Sequence, residues 1–204
     1  SPSARACCRA SPRRGRRVTV ALVTGGSGYF GSLLAERLAD RGDTVRVFDL
    51  TAPDAALTER GVEYVAGDIR DLAAVSSAVA GVDVVFHNVA QVPLARDREL
   101  FDSVNRLGTL TMLEAARRQG VGKVVYTSSS AIYGVPRTNP VTEVTPPSPG
   151  EAYGAAKLAG EVLCRQYAAA GLDVSIIRPR TILGFGRLGI FHGINPGMGW
   201  LFAV

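Results

Sequence analysis

Six short runs of apolar, largely β-branched residues alternate with stretches of helical periodicity, and this alternation restricts the fold more than any other feature. The runs are 18–23, 44–48, 62–66, 83–87, 123–127 and 173–178. Helical patterns cover 29–41 and lie near 71–80, 98–119 and 151–171, with Gly42, Gly120 and Gly171 placed as helix stops. Strands written as continuous apolar runs are covered on both faces, as in a parallel sheet. Right-handed crossovers through the intervening helices then predict an α/β fold built on a doubly wound parallel sheet. The sequence contains no apolar run of about 18 residues, so no membrane span is expected.

Net charge misleads. The chain carries a formal +5, but residues 1–17 hold six arginines (Arg5, Arg9, Arg13, Arg14, Arg16, Arg17) and no acid. Of the 23 basic residues, 17 then remain against 18 acidic ones, so the rest of the chain is close to neutral. The basic pI is therefore no reason to expect nucleic-acid binding. Residues 1–17 read as a disordered basic tail, with an organelle-targeting peptide as the alternative. The three cysteines, Cys7, Cys8 and Cys164, show neither metal-ligand spacing nor a paired framework. No metal site is expected, and a reducing, cytoplasmic setting is. His87 and His192 lack partners at ligand spacing and read as structural.

The turn after the first run is Thr24-Gly25-Gly26-Ser27-Gly28-Tyr29-Phe30-Gly31, with glycines spaced G-x-x-G-x-x-G. Gly25 permits a tight turn, Gly28 lets a pyrophosphate reach the backbone, and Gly31 lets the helix pack closely on the strand. The helix N-terminus adds unpaired N–H groups and partial positive charge. Strand, turn and helix in this order predict a Rossmann dinucleotide site formed by Gly25, Ser27, Gly28, Tyr29, Phe30 and Gly31. Asp49, ending the second run, can accept hydrogen bonds from ribose hydroxyls and would repel a 2′-phosphate, so NAD is expected rather than NADP. Arg46 lies in the strand pattern and is not read as a phosphate clamp. Asp68, with Ile69 beside it, follows the third run, where an adenine amino group would lie; a helix cap is the competing reading. Asp71 reads as a cap.

Tyr153 and Lys157 stand four apart at the start of a helix, on one face. A phenol with a pKa of about 10 becomes a base near neutral pH only with on the order of 4 kcal/mol of preferential phenolate stabilisation. A lysine one turn on supplies positive charge for that, and it can also bond a cofactor ribose. Ser128, Ser129 and Ser130 follow the fifth run, at the carboxyl edge where such sheets hold their ligands. One of these hydroxyls can fix a substrate hydroxyl or carbonyl for proton transfer. The residues alone leave open which.

Taken together, TGGSGYFG at 24–31, Asp49, GDIRD at 67–71, HNVA at 87–90, VNRLGT at 104–109, YTSSSAIYG at 126–134, YGAAK at 153–157 and IIRPR at 176–180 resemble the extended short-chain dehydrogenase/reductase family. That family includes UDP-glucose 4-epimerases, nucleotide-sugar dehydratases and 3β-hydroxysteroid dehydrogenases. The resemblance implies that Tyr153 is the general acid/base and Lys157 its partner. Counting back from Tyr133-Gly134, it favours Ser129 as the catalytic serine, with Ser128 and Ser130 as fallbacks. It places Asn88, Val89 and Ala90 beneath the cofactor and makes Asn105 a prop of the active site. Arg178-Pro179 becomes the turn beside the nicotinamide. Two positions depart from the pattern: Val89 stands where a small residue is usual, and Phe185 where a proline is. Relatives of this kind pair as homodimers through helices like those near 98–119 and 151–171.

The resemblance further implies an NAD-dependent epimerase or dehydratase acting on a small-molecule substrate, a nucleotide-sugar. The alternatives are a hydroxysteroid or small-alcohol dehydrogenase and a catalytically silent NAD-binding module. Residues 18–183 then form the cofactor domain, and 184–204 a Gly-rich remnant of a C-terminal substrate domain that is otherwise largely absent.

Overall fold

The computed structural model describes residues 18–91, 98–136, 139–180 and 182. The basic tail, the Gly-rich remnant, Phe185 and His192 lie outside the described residues.

In chain order the elements are β1 (Val20–Thr24), α1 (Tyr29–Asp40), β2 (Thr44–Asp49), α2 (Ala55–Glu59), β3 (Glu63–Ala66), α3 (Leu72–Val79), β4 (Val84–His87), α4 (Arg98–Asp102), a π-helical turn (Ser103–Leu107), α5 (Gly108–Arg118), β5 (Lys123–Thr127), a 3₁₀ turn (Ser130–Tyr133), α6 (Ala152–Ala169) and β6 (Val174–Ile177). The six strands form one sheet in the order β3-β2-β1-β4-β5-β6. Every pairing is parallel. This is the doubly wound sheet that the sequence predicts.

Successive side chains of a strand face opposite ways, and the two faces carry separate cores. Leu22, Phe48, Val85, Val124 and Tyr126 pack with Val75, Met112, Leu113 and Cys164 on the face that α3, α5 and α6 cover. Ala21, Val23, Val45 and Val47 pack with Ala35, Leu38 and Leu57 on the face of α1 and α2. The helix α6 lies close to the sheet because Gly160 has no side chain; a Cβ there would strike the ring of Tyr126, with Cζ at 2.6 Å. Among the described residues, no helix is long and apolar enough to cross a membrane.

Three local features differ from expectation. The first strand begins at Val20 rather than residue 18, because Asp43 and Asp83 carboxylates accept the N–H groups of Thr19 and Val20 at 3.4 and 2.8 Å. The helical pattern 98–119 is not continuous, being widened by the π turn around Asn105. The short α2 and the 3₁₀ turn had no periodic signal to announce them.

The order of strands reverses between β1 and β4. Their carboxyl ends, Thr24-Gly25 and His87-Asn88, flank the switch point at which open sheets of this kind bind ligands.

Candidate active site

The glycine turn leaves β1 with Gly25 at φ +68°, a conformation that favours glycine. A Cβ on Gly25 would lie 3.1 Å from Val89 N, so the turn and the chain beyond β4 run almost in contact. At Gly31 a Cβ would collide with the carbonyl group of Gly25, and at Gly26 it would meet the Val47 methyls at 2.6 Å. Gly28 differs. It caps α1, it is exposed, and a Cβ there would meet only Gly25 O, at 3.3 Å. The space over the turn is open where the helix N–H groups point.

Asp49 closes one side of the turn. Its carboxylate accepts the Ser27 N–H at 3.1 Å and the Thr51 N–H at 3.3 Å, while the Ser27 hydroxyl donates to Thr51 O at 2.6 Å. Asp68 is bound to Arg70 through both the backbone N–H and the guanidinium. The Arg70 hydrogen bonds hold the Asp68 carboxyl below its usual range. The helix cap expected as the alternative for Asp68 falls to Asp71, which accepts from Ala73 and Ala74 N–H at the start of α3. Ile69 turns its side chain into the core against Gly108, whose Cβ position lies 2.6 Å from Ile69 Cγ2. Tyr29 and Phe30 are half-buried at the start of α1, and Ala90 is half-buried beyond β4.

Behind the switch point runs an ordered chain of hydrogen bonds that the sequence did not reveal. The Thr109 hydroxyl donates to Asn105 O at 2.7 Å and so accepts from His87 Nε2 at 3.2 Å. His87 Nδ1 accepts from the Thr24 hydroxyl at 2.8 Å, whose oxygen takes the Asn88 N–H at 3.1 Å. Burial, with the Lys157 charge adding to it, lowers the His87 pKa to about 3, so the ring is neutral. His87 is structural, as its lack of ligand partners suggests. The side chain of Asn105, buried in the π turn, grips Gln91 at both its N–H (3.1 Å) and its carbonyl (3.3 Å), and also bonds Phe101 O at 2.9 Å. Two threonines and an asparagine thus fix the segment Asn88–Gln91 from below.

The second half of the site is carried by α6. Lys157 is buried, donates to Thr127 O at 2.8 Å, and lies 5.9 Å from the Tyr153 ring centroid and 5.2 Å from that of Tyr126. Burial lowers its pKa to about 8. Thr127 also donates its hydroxyl to Asn88 Oδ1 at 2.6 Å. One residue, Thr127, which sequence reasoning passed over, therefore joins the Lys157 side of the site to the Asn88 side. The Asn88 Nδ2, just beyond the end of β4, is buried with no hydrogen-bond partner among the described residues.

The three serines separate. Ser128 is buried, and its hydroxyl donates to Glu161 at 2.7 Å. The Ser129 oxygen accepts the Ala131 N–H at 3.1 Å and caps the 3₁₀ turn. Ser130 is half-buried, and its hydroxyl takes no hydrogen bond among the described residues.

Arg178 directly follows β6, at the strand-end turn with Pro179. Its guanidinium is bound by Glu161, with bonds of 2.8 and 2.7 Å, and further bonds Tyr133 Oη at 2.6 Å and Glu143 O at 3.3 Å. The reason is the fully buried Glu161 carboxylate, which requires a charged partner. Glu161 was also missed. Its signal was an acidic residue one turn beyond Lys157, on the buried face of α6.

Comparison with known proteins matches this architecture. Residues 21–194 match the NAD dependent epimerase/dehydratase family. The chain is 54% identical to a protein of Sinorhizobium fredii named y4nG, over 86% of this chain and 44% of that protein. It is 40% identical to UDP-glucose 4-epimerase of Mycolicibacterium smegmatis, over 80% of this chain and 56% of the relative. It is 39% identical to sterol demethylase protein B of Methylococcus capsulatus, over 80% of this chain and 51% of the relative. Among solved structures, a short-chain dehydrogenase/reductase superfamily protein from Agrobacterium tumefaciens with bound NAD superposes with a TM-score of 0.72 at 37% identity, over 78% of this chain and 48% of that one. The Thermus thermophilus UDP-glucose 4-epimerase complex with NAD gives 0.71 at 37% identity, over 78% and 54%. The chain spans about half the length of the curated relatives it matches. With a family match that spans most of the chain and a relative at 40% identity over 80% of it, the chain belongs to the NAD-dependent epimerase/dehydratase family.

Proposed function

We propose that the chain is the cofactor-binding and proton-transfer part of an NAD-dependent enzyme that oxidises and re-reduces a hydroxyl-bearing carbon of a nucleotide-sugar. The observation that carries this reading is Lys157, buried beside the Tyr153 ring and anchored to Thr127 O at the carboxyl edge of the sheet. A cation held there favours the phenolate and gives Tyr153 the role of general base. Tyr153 takes the proton of the substrate hydroxyl and returns it when the carbonyl is reduced.

The residues present fit NAD. The open turn over Gly28 suits a pyrophosphate, the Asp49 carboxylate suits a ribose diol, and the orphaned Asn88 Nδ2 offers a donor beneath the ring end. Bound NAD would accept the hydride from the substrate carbon and give it back. Asp49 excludes a 2′-phosphate by charge. Asp68 and the Ile69 backbone take the adenine end. Ser129 is assigned the substrate-orienting role, because its oxygen only accepts the Ala131 N–H and its hydroxyl hydrogen stays free to donate, with Ser130 as the fallback; Ser129→Ala then lowers turnover more than Ser130→Ala. Pairing of two copies through α5 and α6, where Leu110 and Val162 stand exposed, belongs to the same proposal and is read by sedimentation.

The first experiment is thermal unfolding without ligand, with NAD and with NADP. NAD at 100 times its dissociation constant is expected to stabilise the fold by about 2.7 kcal/mol; an equal shift with NADP would remove Asp49 as selector. Turnover is then followed with UDP-glucose and with a 3β-hydroxysterol. Conversion of the sugar without net NADH supports the epimerase reading. Net NADH from the sterol supports a second reading, favoured by a similarity to sterol demethylase protein B of the same size as that to the epimerase. In either case Tyr153→Phe is expected to abolish turnover and leave NAD affinity unchanged. Turnover that survives this substitution refutes the assignment of the base.

A further inference from the structure

Glu161 occupies a position that the proton-transfer scheme does not use. It stands on the same face of α6 as Tyr153 and Lys157, at successive spacings of four. Its carboxylate is fully buried and receives four donors from three directions. The Ser128 hydroxyl bonds Oε1 at 2.7 Å, Arg178 bonds Oε1 and Oε2 at 2.8 and 2.7 Å, and Arg165 bonds Oε2 at 2.8 Å. Arg178 carries the connection onward to Tyr133 Oη and Glu143 O. Tyr133 in turn donates to Thr142 O at 3.1 Å, and Ser148 N–H bonds Ile132 O at 2.9 Å. A single carboxylate therefore ties the helix of Tyr153 and Lys157 to the serine turn, to the end of β6 and to the loop that follows Gly134. Burial alone would raise the Glu161 pKa, but the Arg178 and Ser128 hydrogen bonds and the charges of Arg178 and Arg165 outweigh it and hold the group ionised.

We infer that Glu161 is a positioning residue: through Ser128 and Arg178 it sets the distance of the substrate-orienting serine turn and of the 139–150 loop from Tyr153. This rests on the reading of Tyr153 and the serine turn given above. The link is mechanical. Ser128 directly precedes both candidate hydroxyls, and its own hydroxyl has no other partner than the Glu161 carboxylate among the bonds of the described residues. When the carboxylate is removed, the serine turn loses its tether to α6, and the 139–150 loop loses the arginine that bonds it at Glu143 O.

The test is amide hydrogen exchange on the 204-residue chain, read segment by segment without ligand, beside melting temperature and NAD affinity. Glu161→Gln is expected to accelerate exchange about tenfold in 128–134 and 142–148, with the amides of β1 and β2 unchanged. Ser128→Ala keeps the ion pair intact and is expected to loosen 128–134 alone, so it tests the tether even if Glu161→Gln fails to fold. The double variant Glu161→Gln/Arg178→Gln leaves no unpaired charge inside. It is expected to regain the melting temperature lost by the single variant while the two segments stay fast. If the segments recover together with the melting temperature, or if exchange rises equally in all strands, Glu161 only stabilises the fold and the inference is overturned. Where turnover is measured, the defect of Ser128→Ala falls on kcat with KM unchanged. Failure of the unsubstituted chain to bind NAD would sink the cofactor reading, not the tether, because exchange is read without it.

Discussion

At Gly31 one hydrogen atom decides whether α1 can begin where it does. A methyl there would overlap the Gly25 carbonyl, which belongs to the same turn and cannot move aside without unmaking it. Gly31→Ala is therefore expected to cost about 1–3 kcal/mol in urea unfolding and to abolish the NAD-induced shift in melting temperature. Lys157 gives a prediction with a sign. Its pKa falls from the ordinary 10.5 to about 8 in the folded chain, so between pH 8 and 10.5 the unfolded state binds the extra proton. Stability contributed by this group is thus lowest below pH 8 and rises as pH climbs toward 10.5. Unfolding midpoints between pH 7.5 and 10.5 are expected to show that slope, and Lys157→Met to remove it. Turnover runs the other way: above pH about 8 the neutral amine no longer supports the phenolate, and kcat is expected to fall.

Among the elements, the π turn Ser103–Leu107 is the one whose loss reaches furthest. Asn105→Ala would orphan the Gln91 N–H and two carbonyl groups, each unpaired buried group costing about 1–3 kcal/mol. The expected result is a lower melting temperature together with weaker NAD binding, since Gln91 ends the segment that passes the switch point. A loss of stability with NAD affinity intact would detach the π turn from the cofactor site. The strands, the glycine turn and the pairing of Tyr153 with Lys157 were legible in the sequence because each has a fixed spacing that local geometry enforces. The π turn was not, because one extra residue in a helix leaves no period of its own and is produced by the side chain of Asn105 reaching Phe101 and Gln91. The roles of Glu161 and Thr127 and the pairing of Arg178 were invisible for another reason. Apart from Arg165, one turn from Glu161, their partners lie between 17 and 45 positions away, and only the folded sheet brings them together.

For the whole molecule, acid is the natural weakness. The His87 pKa drops from 6.5 to about 3 on folding, so below pH 6.5 the unfolded chain takes a proton that the folded chain refuses. Stability falls with pH across that window at up to about 1.4 kcal/mol per pH unit for this one group. Glu114, lowered to about 2 by hydrogen bonds from Arg117, Arg118 and Tyr167, adds its loss below pH 4.5, and Asp68 and Glu161 shift in the same direction. The melting temperature is expected to decline already between pH 6.5 and 5, before carboxylates titrate. A flat profile there would mean that His87 is more accessible to protons than its burial implies.

The central place of β1 in the sheet also shapes how the chain comes into being. One edge of β1 is served by β2, but the other waits for β4, and the carboxylate that accepts the Val20 N–H arrives 63 positions later. At translation speeds of roughly 5–20 residues per second, that edge stays unmet for about 3–13 s on the ribosome. During that time the strand that will become the most protected in the domain is a bare apolar ribbon, open to chaperones or to another nascent chain.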